Sequence, residues 1–442
     1  MFNTMNTVPL LLLIATLGCS NSNSKAEGKE TQPNQVTVIA GDTLPEPYAT
    51  KSTKNYSKVI GWKAGQAPIA PAGFVVTRFA EDLDNPRWIY QGSNGDVFIC
   101  ESNTVLRGLK KIGAAVSRKI KTQHLGTSAG RITLFRDANK DGIYESRYVF
   151  KEDLNQPLGM LILNNHFYIG DTDGLLEFDY KTGDTILSGD GKMIVALPAG
   201  GYNNHWTRNI IASKDGRKIF ITVGSSSNNA EHGIEYETRR ANILEINPDG
   251  SGERVFASGL RNPVGMAWAP GTNTLWTAVN ERDELGDELV PDYMTSVKEN
   301  GFYGWPYSYF GNHEDPRMKD NQRPDLVQKA IVPDVALGAH TASLGLAFYD
   351  KKNFPAKYHN AAFTGQHGSW NRSQLSGYKV VCVPFANGKP SGKPEDFLIG
   401  FIADVDKSEV HGRPVGVTVL LDGSMLVADD VSNIIWRVSY KK

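Results

Sequence analysis

The sequence has only 3 cysteines in 442 residues. They cannot form a dense disulfide framework, so an apolar core must hold the fold. An excess of one charge is also lacking: 47 Lys and Arg stand against 48 Asp and Glu, a net charge of −1. Such a balance argues against nucleic acid or an anionic membrane surface as the main partner. A sustained 3.6-residue apolar period is almost missing, which argues against a helical fold. What the chain has instead is 44 glycines against 22 prolines, with Asn-Gly and Asp-Gly pairs. These mark many tight turns and point to an all-β architecture.

The N-terminus carries one apolar run, Val8 to Leu17, "VPLLLLIATL". It is too short to span a bilayer and reads as an export signal over residues 1–19. Gly18-Cys19-Ser20 follows and is similar to the lipobox of bacterial lipoproteins, although no Lys or Arg precedes the run and Thr16 stands where Leu is usual. The expectation is a lipidated Cys19 anchoring an exported protein at the periplasmic face, with no other membrane contact. Residues 20–58 are polar and read as a largely disordered tether. The folded domain is expected over 59–442. Cys100 and Cys382 could pair in an exported protein, or stay as two buried thiols.

A unit recurs six times. A polar residue, usually followed by Pro, precedes a short apolar strand; further strands follow after Gly- and Asp-rich turns. The units open at Asn85-Pro86, Gln156-Pro157-Leu158-Gly159, His205-Trp206-Thr207-Arg208-Asn209, Asn262-Pro263-Val264-Gly265, Thr341-Ala342-Ser343-Leu344-Gly345 and Arg413-Pro414-Val415-Gly416. Six antiparallel units of this size predict a six-bladed β-propeller. "GFVVTRFA", Gly73 to Ala80, precedes the first unit and is expected to close the ring against the last. Residues 287–340 form a long aromatic- and Pro-rich insertion, of the kind often functional.

In a propeller the residues before each inner strand gather at one channel mouth. Asn85, Gln156, His205, Arg261 with Asn262, His340 and Arg413 are therefore expected to form a ring. Two arginines among amides describe an anion-binding funnel, since Arg offers planar bidentate donors to carboxylates. A histidine beside them would suit a general base near neutral pH. "NERDELGDELVPD", Asn280 to Asp292, is an oxygen-rich loop that suits Ca²⁺, or else a solvated acidic loop. "DANKDGIYE", Asp137 to Glu145, begins like a calcium loop but has Tyr148 at the twelfth position; a hairpin turn is the reading preferred, a structural calcium the alternative.

"GLRNPVGMAW", the acidic loop, "NGFYGWP", "GQHGSWNR" and "GRPVG…LVADD" together resemble the glucose/sorbosone dehydrogenase family, closest to its L-sorbosone dehydrogenase-like branch. The resemblance implies exported six-bladed propellers that oxidise sugars with pyrroloquinoline quinone (PQQ) and Ca²⁺. It implies His205 as the base that takes the proton of the sugar's anomeric hydroxyl, and Arg261 with Asn262 beside the cofactor. It implies Gln156, Arg372 and Arg413 as further cofactor-binding residues. The family's calcium ligands are backbone carbonyls and an Asp of this loop, which here gives Glu281, Arg282 and Asp287, in a loop one residue longer than the family's. "VGSSSNNAEHG", Val223 to Gly233, departs from the glucose-specific members, so glucose is not carried over as substrate. The electron acceptor, a cytochrome or quinone, is left open. A calcium-dependent, lactonase-like propeller hydrolase and a ligand-binding propeller without chemistry are the alternatives.

Overall fold

The computed structural model describes residues 44–106 and 119–441. Cys19, the signal segment and residues 20–43 of the tether lie outside the described residues. The fold is mostly β; the described residues include a single short α-helix, Pro324–Val327.

Each sequence unit becomes one four-stranded antiparallel sheet. The first sheet runs Pro86–Gln91, Val97–Glu101, Arg131–Arg136, Ser146–Lys151. The second runs Gly159–Leu163, His166–Asp171, Gly174–Asp179, Lys192–Ala196. The third runs Ile210–Ala212, Ile219–Val223, Asn242–Ile246, Arg254–Ser258, and gains a fifth, parallel strand, Gly301–Phe302, from the long insertion. The fourth runs Pro263–Trp268, Leu275–Val279, Pro291–Ser296, Val335–Ala339. The fifth runs Ala347–Phe348, Ala362–Gln366, Lys379–Val383, Glu395–Leu398. The sixth runs Pro414–Val419, Met425–Asp429, Ile434–Tyr440, and takes its last strand, Phe74–Ala80, from the start of the domain. Phe74 pairs with Tyr440 and Val76 with Val438, so "GFVVTRFA" closes the last sheet as expected.

The first strand of each sheet touches the first strand of the next, and that of the sixth touches that of the first. The sequence phrase (Pro/Ser)-(Leu/Val)-Gly explains how they meet. Its aliphatic residue points inward: Leu158, Val264, Leu344 and Val415 form one buried cluster contributed by four units. Its glycine faces the neighbouring backbone. A Cβ on Gly265 would lie 2.6 Å from the Leu346 nitrogen, one on Gly345 2.1 Å from the Val415 oxygen, and one on Gly416 2.5 Å from the Arg87 oxygen. No side chain fits there. The second strand of each sheet is almost wholly buried, as in Val97–Glu101, Ile219–Val223 and Met425–Asp429. It is covered on both faces, which is why these strands read as continuous apolar runs rather than alternating ones.

The two described thiols are free. Cys100 and Cys382 are buried in separate clusters, and burial raises both, Cys382 to about 12.

One expectation needs correction. Residues 44–57, assigned to the tether, lie against the domain. The Tyr48 N–H donates to the Leu285 oxygen at 2.8 Å, Thr50 Oγ1 accepts from the Asp287 N–H at 2.8 Å, and Ser52 Oγ from the Gly286 N–H at 2.9 Å. Tyr56 stacks on Trp370 at 5.8 Å. The polar composition suggested disorder, but these hydroxyls serve as hydrogen-bond acceptors for a loop that has few partners of its own.

Asp171, at the end of His166–Asp171, gives a pH-dependent prediction. Its Oδ2 accepts the Asn155 N–H at 2.9 Å, while its buried Oδ1 has no partner. Burial pushes its carboxyl up to about 7. The folded state therefore holds a proton that the unfolded chain releases near pH 4, and stability falls as pH rises from 4 through 7. Asp171→Asn keeps the acceptor and removes the charge. It should stabilise the protein by about 1–3 kcal/mol at pH 8, with the gain vanishing near pH 4. Thermal melts across pH 4–8 read this difference.

Candidate active site

The loops that precede the first strands and those that follow the second strands enclose a cleft of about 540 Å³ that leads to an inner recess of about 170 Å³. His205, Asp283, His124 and Trp370 line both. Arg261 lines the outer part; Asn262, Arg413, Arg87, His340 and His367 line the recess.

His205 is fixed from two sides. Its Nδ1 lies 2.7 Å from the Ser225 carbonyl oxygen, so the Nδ1 proton is donated there. Ser225 Oγ lies 3.0 Å from the same nitrogen. Arg208 Nη1 donates to the His205 carbonyl at 2.8 Å. Among the described residues Nε2 has no partner, so the ring presents an unprotonated nitrogen to the cleft. Burial, and then the Arg261 guanidinium, hold the imidazole well below its usual range. It is therefore a free base at neutral pH.

Arg261 reaches His205 through Ser225, whose N–H donates to the Arg261 carbonyl at 2.7 Å. Its guanidinium donates to the Glu281 oxygen at 2.7 Å, the Asn228 oxygen at 3.0 Å and Asn228 Oδ1 at 2.9 Å. Asp283 stands 3.8 Å away. Asn262 Oδ1 is buried without a partner. Gly224 makes this junction possible: a Cβ there would lie 2.4 Å from Asn262 Oδ1 and 2.6 Å from His205 Cβ.

The recess is cationic. Asp430 holds Arg87 at 2.8 Å and His367 Nε2 at 2.9 Å. Arg413 makes no salt bridge among the described residues, although the charge of Asp430 acts on it across the recess. Its guanidinium donates to the His367 oxygen at 2.8 Å, the Gly368 oxygen at 2.9 Å and His124 Nδ1 at 2.6 Å. It is only 2% exposed. A buried guanidinium satisfied only by neutral groups is poised for an anion.

His340 is tied to the wall of the cleft: its Nδ1 donates to Asp283 Oδ1 at 3.0 Å and its Nε2 to the Gly286 oxygen at 2.8 Å. These carboxylate and carbonyl acceptors raise its pKa, although burial opposes them.

Other expected residues do not reach the cleft. The Gln156 amide donates to the Asn103 oxygen at 2.7 Å, and Asn85 Nδ2 to the Asp430 oxygen at 2.8 Å. Both staple loops together. Arg372 pairs with Glu288. The side chains of the implied calcium loop are engaged with neighbouring groups. Glu281 accepts from Arg282 Nε at 2.9 Å, Arg282 also contacts Asp315 at 3.2 Å, and the Asp287 carboxylate holds Ser373. Among the described residues no three His, Cys, Asp or Glu side chains group as a metal site requires.

Sequence reading missed Arg87, His124, Asp283, Asp430 and Trp370. Arg87 directly follows Asn85-Pro86, and Asp430 ends "VADD", so both carried a positional signal. Asp283 and Trp370 lie inside quoted motifs, next to residues chosen instead. His124 carried none.

Residues 171–376 match the family model described as glucose/sorbosone dehydrogenase. The match bears out the resemblance to the glucose/sorbosone dehydrogenase family over these residues, and leaves its L-sorbosone-like branch a proposal. The chain is 29% identical over 385 residues, 84% of its length, to an uncharacterised protein of Borreliella burgdorferi, of which it covers 90%. It is 24% identical over 353 residues to an aldose sugar dehydrogenase of Escherichia coli, covering 79% of each chain. Its fold matches the holo PQQ domain of pyranose dehydrogenase from Coprinopsis cinerea with a TM-score of 0.66 at 19% identity. That match covers 87% of this chain and all of the other.

Proposed function

We propose that the protein is a PQQ-dependent oxidoreductase that oxidises the anomeric carbon of an aldose sugar. In the same reading the six sheets are six blades of one propeller, and the cleft lies at one mouth of its channel. The observation that carries the proposal is Arg413, a buried guanidinium without a carboxylate partner in a recess that opens towards His205.

PQQ bears three carboxylates and, when bound, supplies the two-electron acceptor for the sugar's hydride. Arg413 would hold a carboxylate. Arg261 and Asn262, whose Oδ1 lacks a partner, would meet polar atoms of the cofactor. His205 Nε2 takes the proton of the sugar hydroxyl as the hydride leaves. Arg261 and Arg208 keep the neighbourhood positive, which favours the neutral imidazole before reaction. Export with a lipid anchor at Cys19, and a separate electron acceptor, belong to the same proposal.

Titrating the apo-protein with PQQ, followed by the cofactor's absorbance, tests the reading. Arg413→Ala should weaken binding by about 2–5 kcal/mol, roughly 30-fold or more. Circular dichroism checks that the variant folds. Equal affinities would remove Arg413 from the cofactor site.

A further inference from the structure

A second cavity, of about 550 Å³, lies at the far ends of the six first strands. All six contribute to it, through Trp88, Met160, Ile210, Trp268, Phe348 and Val417 among others. The recess lies at the starts of the same strands, where Arg87, Asn262 and Arg413 stand. The cluster of Leu158, Val264, Leu344 and Val415 plugs the space between. That plug is thin. Arg87 lines the recess, while Trp88, the next residue, lines the cavity and packs on the plug. Leu344 lines the recess and Leu346 the cavity, so two strand residues, about 7 Å, separate the two spaces there.

The chemistry of the cavity suits a neutral, apolar ligand. Its two charged side chains are engaged: Lys214 donates to the Thr272 oxygen, and Asp350 lies 3.4 Å from the Lys351 ammonium. The Gln91 amide donates to the Gly95 oxygen at 3.0 Å and accepts the Leu421 N–H at 2.7 Å. Trp268 Nε1 donates to the Ala212 oxygen at 2.9 Å. Trp88 Nε1, by contrast, makes no hydrogen bond among the described residues. Aromatic and aliphatic walls with one free N–H donor fit a flat, uncharged ring that carries a carbonyl.

We propose that this cavity binds a lipophilic quinone, which takes up the sugar's electrons through the plug. The inference rests on the sugar-oxidising reading above and names its electron acceptor. The aliphatic plug keeps the quinone away from the recess, so electrons cross and molecules do not. Trp88, one peptide bond from Arg87 and packed on the plug, spans the gap. For each sugar, two electrons pass from the reduced cofactor to the quinone. Two protons leave at the cleft and two are taken from water at the cavity, giving the quinol.

Tryptophan fluorescence of the apo-protein, titrated with ubiquinone-1, reads binding without any turnover. Saturable quenching is expected, because Trp88 and Trp268 line the cavity. Leu421→Arg puts a charge on the apolar rim at a position 57% exposed, and should weaken binding roughly tenfold. Trp88→Phe keeps an aromatic ring but loses the donor, and should weaken it about threefold. Circular dichroism checks that both variants fold. With PQQ, Ca²⁺ and sugar, each variant should raise the KM for ubiquinone-1 by the same factor relative to that for ferricyanide, a charged acceptor unsuited to an apolar cavity. Quinone binding that both variants weaken, with neither acceptor reduced, would support the cavity and count against the redox reading. Ferricyanide reduction without saturable quinone binding, or without quinone reduction, would overturn the proposal. So would quinone binding that neither variant changes.

Discussion

His205→Gln should lower sugar oxidation by about 10²–10⁴-fold, the usual contribution of a positioned general base, while PQQ still binds. The glutamine amide can still donate to the Ser225 carbonyl, which lies 2.7 Å from the imidazole Nδ1 in the native protein. What it lacks is the basic Nε2. The loss should fall on kcat with little change in KM, because proton removal is felt in the transition state. The pH profile of the native protein adds a second check. Burial and Arg261 hold the imidazole well below its usual range. The base is therefore neutral down to acidic pH, and the acid limb of kcat should lie below the ordinary histidine range near 6.5. A His205→Gln variant with native turnover would remove the residue from the chemistry.

Asp430→Asn should destabilise the protein by about 3–5 kcal/mol, the range for removing one partner of a buried ion pair. The carboxylate is almost fully buried and serves both Arg87, at 2.8 Å, and His367, at 2.9 Å. Arg413 contributes a further cation to the same recess. Taking the charge away leaves buried guanidiniums without a nearby counter-ion, and their desolvation goes uncompensated. Denaturant unfolding reads the effect as a lower midpoint at an unchanged slope. Added PQQ should restore part of the loss, because its carboxylates would face the same cations and ligand binding stabilises the folded state. An unchanged midpoint would show that the recess does not depend on Asp430.

These two positions also show what the sequence could and could not reveal. The (Pro/Ser)-(Leu/Val)-Gly phrase was legible because each residue type has a local reason: the aliphatic residue enters the central cluster and the glycine admits a neighbouring backbone. His205, Arg261 and Arg413 were legible because they precede inner strands and so must gather at one end. Gln156 and Asn85 occupy equivalent places, yet both have positive φ and turn their amides to nearby carbonyls. Position before a strand fixes where a residue stands, not where its side chain goes. The pairing of Arg372 with Glu288, 84 residues away, carries no signal in the sequence. Residues 44–57 were misread because their hydrogen bonds go to a distant loop, which composition does not encode.

Sugar-dependent dye reduction by the apo-protein reconstituted with PQQ and Ca²⁺ tests the central claim most directly, over a panel of aldoses and their oligosaccharides. The native protein should turn over with at least one sugar and the His205→Gln protein should not, though both bind PQQ. PQQ bound at the cleft with no reduction by any sugar, or equal turnover in both proteins, would contradict it.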